Sequence, residues 1–236
     1  MADTGRLCTI CARGGSKGVP RKNLRRIAGR PLLDWTVSVA RETGLFDHIA
    51  VSSDDADILK RAAELGVDFC IDRAPELATD ESGKMPAIVD AVTRSQQHFN
   101  RDYDISVDLD VTSPLRLVED ITGAVTLLES GSATNVITGA PARRSPYFNM
   151  VEEAPDGHVR LVKPLADGPM RRQDAPRCFD MNASIYVWRT KALLSDPDVF
   201  YDDTLLYEMP ESRSHDIDTE LDFDIVEFLL LKRASA

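Results

Sequence analysis

The sequence predicts an α/β protein, with a mostly parallel sheet covered by helices on both faces. Three observations carry that expectation. Short apolar runs rich in Val and Ile alternate with helix-period segments, the rhythm of repeated β-α-β units. Helix punctuation sits where it should, with Pro31 and Pro86 in first turns and Gly44 and Gly66 just past helix ends. The chain has 236 residues, 43% hydrophobic and 28% charged, which suits one sizeable soluble core.

In order, "RLCTICA" reads as a strand and "PLLDWTVSVARETG" as a helix; "HIAVSS" is the next strand and "DDADILKRAAELG" the next helix. "VDFCI" is strand-like and "MPAIVDAVTRSQQHF" helical. "YDISVDLD" is a strand, "VEDITGAVTLLESG" a helix and "ATNVITG" a strand. The rhythm then breaks. Residues 141–176 are rich in Pro and Arg, with a hairpin signal at "PDGH", and read as an inserted lobe within a single domain spanning 1–236. "FDMNASIYVW" returns to strand character. "IDTELDFDIVEFLLLKR" reads as a terminal helix whose Leu221, Ile225, Phe228 and Leu229 form one apolar face.

The formal net charge of −11 argues against general nucleic-acid binding. No apolar stretch reaches the roughly 20 residues of a membrane span, and "MADTGRLCTI" carries no secretory or transit pattern. A cytoplasmic protein with no membrane partner is expected. Cys8 and Cys11 spell C-x-x-C, but three residues apart on a strand they point to opposite faces, so small core residues are expected rather than a redox or zinc pair.

Against that acidic background, no acidic residue lies between Asp3 and Asp34, while Arg6, Arg13, Lys17, Arg21, Lys22, Arg25, Arg26 and Arg30 are basic. Within this run "ARGGSKGVPRKN" follows the first strand. Glycines let backbone N–H groups approach an anion and Lys or Arg supplies charge, so the loop reads as a phosphate seat. Its spacing excludes the P-loop and the G-x-G-x-x-G dinucleotide fingerprint. Gly14-Gly15-Ser16-Lys17-Gly18 does fit G-x-S-x-G, which raises a serine hydrolase with Ser16 as nucleophile and His215 as base. The flanking charges and a loop running on through Pro20 count against it.

At the other end, "SHDIDTELDFD" holds Asp216 and Asp218 around Ile217. In extended backbone both carboxylates can face one hard cation such as Mg²⁺. Equally, Asp218 could be a helix N-cap, with acids favoured in the first turn. Asp222 and Asp224 read as solvent-facing.

Together these segments resemble the acylneuraminate cytidylyltransferases, the CMP-sialic acid synthetase family. "ICARGGSKGVPRKN" matches the family's first motif almost throughout, and "VSSDD", "TSPLR", "RRQD", "NASIYV" and "IDTELDF" follow in order over essentially the whole chain. The resemblance implies a Rossmann-like three-layer α/β/α nucleotidyltransferase fold with 141–176 as a small inserted dimerisation lobe, and a homodimer. It implies that CTP and a 2-keto-3-deoxy sugar acid give a CMP-sugar and pyrophosphate.

By the same match, Arg13, Gly14, Ser16, Lys17, Lys22, Asn23 and Arg73 would hold the nucleotide, with Arg13, Lys17 and Asp218 catalytic. Asp216 and Asp218 would hold Mg²⁺, Arg172 would pair with the sugar carboxylate, and Asp110 and Asn182 would face the acceptor. Arg116 is expected to fix its loop. Asp110 stands where the family often has Gln, and Asp180 adds another acid, so an acceptor other than N-acetylneuraminate is expected. Another NTP with a sugar 1-phosphate, or an inactive nucleotide-binding protein, are the other readings the residues leave open.

Overall fold

The structure, a computed structural model, describes residues 4–16, 18–79, 81–165, 171 and 174–235. Strand β1 (Arg6–Cys11) is followed by a two-residue hairpin, β2 (Arg26–Ile27) and β3 (Arg30–Pro31), and by helix α1 (Leu32–Glu42). Next come β4 (His48–Ser53), α2 (Ala56–Glu64), β5 (Phe69–Asp72), α3 (Lys84–Phe99), β6 (Ile105–Leu109), α4 (Val118–Glu129) and β7 (Asn135–Pro141). A short hairpin, β8 (Val151–Glu153) and β9 (Val159–Leu161), occupies the expected lobe, with Gly157 at φ 78° in its turn. The chain closes with β10 (Phe179–Arg189), α5 (Thr190–Ser195), β11 (Leu205–Glu208) and α6 (Glu220–Ala234). The β2–β3 hairpin, helix α5 and edge strand β11 are elements the sequence did not announce.

The main sheet has seven strands in the order β11-β7-β10-β6-β1-β4-β5. All pairings are parallel except those of β10, which runs against both β6 and β7. Strands β1, β4 and β6 are buried along almost their whole length, as parallel strands covered on both faces must be. Adjacent residues of β1 serve different layers. Leu7 packs with Ile88, Val92 and Trp188 towards α3 and α5, while Cys8 and Ile10 pack with residues of α1, α2, α4 and α6. Cys11 lies on the same side as Leu7, so the two thiols of C-x-x-C face opposite layers, and burial pushes both up. Among the described residues no helix is long and apolar enough to cross a membrane.

One expectation is overturned at α6. Leu221, Ile225 and Phe228 do not form its core face; Phe223, Val226 and Leu230 do, with Leu229 partly buried against them. The reason is the cap. Thr219, not Asp218, is the N-cap; its hydroxyl accepts from the Asp222 N–H, and the Asp222 carboxylate accepts from the Thr219 N–H at 2.7 Å. That capping box sets the helix rotation and makes Asp222 structural rather than merely solvent-facing.

From β1 the chain steps to β4 on one side and later returns to β6 on the other. The order of the sheet therefore reverses between β1 and β6, and a crevice opens beyond their carboxyl ends.

Candidate active site

The loop after β1 and the segment before α6 form the crevice together because they are locked to each other. A Cβ on Gly18 would overlap the Asp218 carbonyl, so only glycine allows the approach. The Lys22 ammonium donates to the Ile217 carbonyl and lies 3.5 Å from Asp218 Oδ1. Arg25 grips Glu220 at 2.6 Å and stacks on the Phe223 ring. Within the loop, Asn23 donates to the Arg13 carbonyl at 2.8 Å, and the Gly14 N–H donates to Asp54 Oδ1 at 2.9 Å. After Ser16 the loop continues to a single 3-10 turn at Lys22–Leu24, so the strand-to-helix turn of a nucleophile elbow is not formed. Ser16 and His215 moreover line different cavities.

The crevice holds a cavity of about 400 Å³. Arg13, Ser16, Lys22, Asn23, Arg73, Asp110 and Asp218 all line it, so the structure brings these expected site residues together. Gly14 sits in the same loop. Lys17 and Arg172 lie outside the described residues. Arg73, which its surroundings in the sequence would leave solvated, is buried. It donates to Ser52 Oγ at 3.1 Å and to the Ser52 carbonyl at 2.7 Å. Arg116 is buried too, donating to the Asp110 and Ser184 carbonyls and to Thr36 Oγ1, and so fixes the loop as expected.

Lys84, the first residue of α3, is the group the sequence reading missed. Its ammonium lies 2.7 Å from Asp108 Oδ2 and 2.9 Å from Asp110 Oδ2. Asp108 is fully buried, and its other oxygen accepts from Thr9 Oγ1 at 2.9 Å. Burial opposes the charge on Lys84, but the two carboxylates more than offset it and hold the ammonium above the usual lysine range. Burial likewise raises Asp110, yet Lys84 and the Thr112 N–H outweigh it and bring the carboxyl down to about 2. Thr112 donates to Asp110 Oδ1 through both its N–H and its hydroxyl, each at 3.0 Å.

A second cavity, of about 290 Å³, lies beside β10 and is lined by Asp180, Asn182, Ser214, His215 and Asp216 among others. Asn182 sits in a bulge of β10 next to Ala183 at φ 50°. Its Oδ1 accepts from Thr138 at 2.7 Å and its Nδ2 donates to Ser214 at 3.0 Å, so its amide holds this wall together. Asp110 and Asp180 therefore line different cavities, and the charge of Asp110 is taken up by Lys84. They do not make one acidic acceptor pocket. Asp216 and Asp218 also divide, Asp218 towards the first cavity and Asp216 towards the second. Burial, and then the charge of Asp218, push the Asp216 carboxyl up. Among the described residues no group of three His, Cys, Asp or Glu side chains gathers as a ready-made metal site.

Residues 7–224 match the protein family described as Cytidylyltransferase. The chain is 43% identical over 227 residues to post-translational flagellin modification protein B of Campylobacter coli, covering 96% of this chain and 95% of that protein. It is also 43% identical over 224 residues to CMP-N,N'-diacetyllegionaminic acid synthase of Campylobacter jejuni subsp. jejuni, covering 95% and 94%. Among solved structures, CMP:2-keto-3-deoxy-manno-octonic acid synthetase complexed with CTP superposes with a TM-score of 0.73 at 15% identity, over 98% of this chain and 100% of that one, a likeness of fold.

Proposed function

The chain belongs to the cytidylyltransferase family, and from that premise we propose that it joins the CMP unit of CTP to a nonulosonate and releases pyrophosphate. One observation carries the reading: the cavity at the β1/β6 switch point is walled by Arg13, Lys22, Asn23 and Arg73 and closed by Asp218. The nucleotide occupies this cavity, with its phosphates along the 13–23 loop and Lys17 included among their partners. The acceptor enters from the side of the second cavity, where Asn182 shapes the wall; by the sequence match alone, Arg172 is the residue that captures its carboxylate with a bidentate guanidinium. A relative at 43% identity named for a di-N-acetylated legionaminate supports an acceptor of that kind over N-acetylneuraminate.

In the reaction the anomeric hydroxyl oxygen forms a bond to the α-phosphorus. The bond from that phosphorus to the bridging oxygen breaks, and pyrophosphate leaves with its electron pair. Arg13 and Lys22 offset charge on the phosphates, and the work of the site is positioning and neutralisation. One of the two terminal aspartates, Asp216 or Asp218, takes the hydroxyl proton. Asp218, exposed at the mouth of the first cavity, would offer the oxygen donor to a hard divalent cation, Mg²⁺, with Asp216 on the side of the second cavity. When bound, that ion supplies neutralisation of the triphosphate.

Lys84 and Asp110 add a donor and an acceptor to the first cavity. Thr112 and Lys84 already occupy much of the Asp110 carboxylate, so the pair suits a neutral hydroxyl better than an amine. The protein works as a homodimer through the 141–176 lobe, supported by exposed Phe148, Met150, Val151 and Val159 there. Its setting is the cytoplasm, where CTP is made.

A pyrophosphate-release assay of the four NTPs against sugar acids and sugar 1-phosphates tests the reading. Release that requires CTP and a nonulosonate is expected. Release with a sugar 1-phosphate in its place would overturn it.

A further inference from the structure

Helix α6 is apolar on two faces. The inner one, Phe223, Val226 and Leu230, is buried in the core. The outer one carries Leu221 (67% exposed), Ile225 (38%), Phe228 (62%) and Leu231 (54%), spaced by four, three and three residues. That spacing is a helix–helix seam rather than scattered surface residues. An exposed apolar stripe of this kind marks an interaction site.

The charges on α6 say what covers it. Glu220 is committed to Arg25, Asp222 to the N-cap, Glu227 to the Ala28 N–H, and Arg233 to the Leu115 carbonyl. Among the described residues, Asp224 and Lys232 alone of the charged side chains of α6 have no hydrogen bond or ion pair within the chain, and both are exposed. We propose that α6 pairs with α6 of a second copy of this chain, antiparallel, about a two-fold axis passing beside Phe228.

That single axis satisfies both patterns at once. It sets Phe228 against Phe228 of the second copy once, on the axis, and Ile225 against Leu231 and Asp224 against Lys232 twice each by symmetry. The antiparallel arrangement also places opposite ends of the two helix dipoles together. No other axis along the helix matches Ile225, Phe228 and Leu231 among themselves while pairing the two uncommitted charges.

Light scattering on the full chain at micromolar concentration tests the proposal. Phe228→Glu, an exposed position whose change leaves the core intact, should halve the particle mass with unchanged melting temperature. Asp224→Lys places like charges together twice and should weaken association by about 10-fold, at roughly 0.5–1 kcal/mol per exposed pair. The double variant Asp224→Lys/Lys232→Asp should restore it. Equal masses for the wild type and Phe228→Glu, a monomeric wild type, or a double variant no better than Asp224→Lys would each overturn the proposal.

Discussion

The two cavities are built differently. Around the first, nearly every polar group already has a partner: Arg73 on Ser52, Asn23 on the Arg13 carbonyl, Lys22 on the Ile217 carbonyl, and Lys84 on Asp108 and Asp110. Around the second, Arg143 and Glu211 pair at the surface, and Asp180 and Met181 are exposed. The contrast teaches where order comes from. A site for a triphosphate must gather like charges before the ligand arrives, and only a buried network holds them. A site walled in part by exposed side chains can leave its last contacts to the acceptor.

The largest effect that would sharpen this contrast is on turnover. Asp218→Asn should lower kcat by orders of magnitude while leaving cooperative unfolding intact, because Asp218 is exposed and serves the ligand. Near-normal turnover at saturating Mg²⁺ would remove the metal assignment. Gly18→Ala should come next. Its Cβ cannot share space with the Asp218 carbonyl, so loop and terminal segment must part, and CTP affinity should fall at least 10-fold in a binding titration.

Lys84→Met attacks the network itself. It leaves Asp108 and Asp110 without their cation, and breaking such a buried group of charges costs about 3 kcal/mol, read as a shift in denaturant midpoint. The same network has a pH signature. The Asp110 carboxyl is held at about 2, below its unfolded value, so its contribution is complete above the unfolded value and is lost as pH falls through 2. Unfolding free energy should drop over that acid range in the wild type and drop less in Lys84→Met. The smallest effect belongs to the lobe: Glu152→Ala, on an exposed strand, should change stability by no more than about 0.5 kcal/mol. A large loss there would mean the lobe is as tightly built as the crevice.

These differences also explain what could be read from the sequence. The strands and helices of the first half carry period, caps and turn residues within a dozen positions, so β1, β4, β6 and α1 to α4 were legible. The loop at 12–23 was legible because its composition breaks so sharply with the acidic chain. Lys84 was not, since nothing local to "GKMP" signals it; only the placement of α3 over the end of β6 brings it to Asp108 and Asp110. The rotation of α6 was illegible for another reason. Both its faces are apolar, so periodicity offers two equal answers, and the Thr219–Asp222 box decides between them. Strand β11, four residues long, is made a strand by its pairing with β7 rather than by any propensity of its own.

A calorimetric titration of the free protein tests the central contrast most directly. With Mg²⁺ present, CTP should bind one site per chain without any acceptor, because its cavity is already assembled. The nonulosonate should bind measurably only once nucleotide is in place. Acceptor binding to the free protein, with no CTP binding in its absence, would contradict the account.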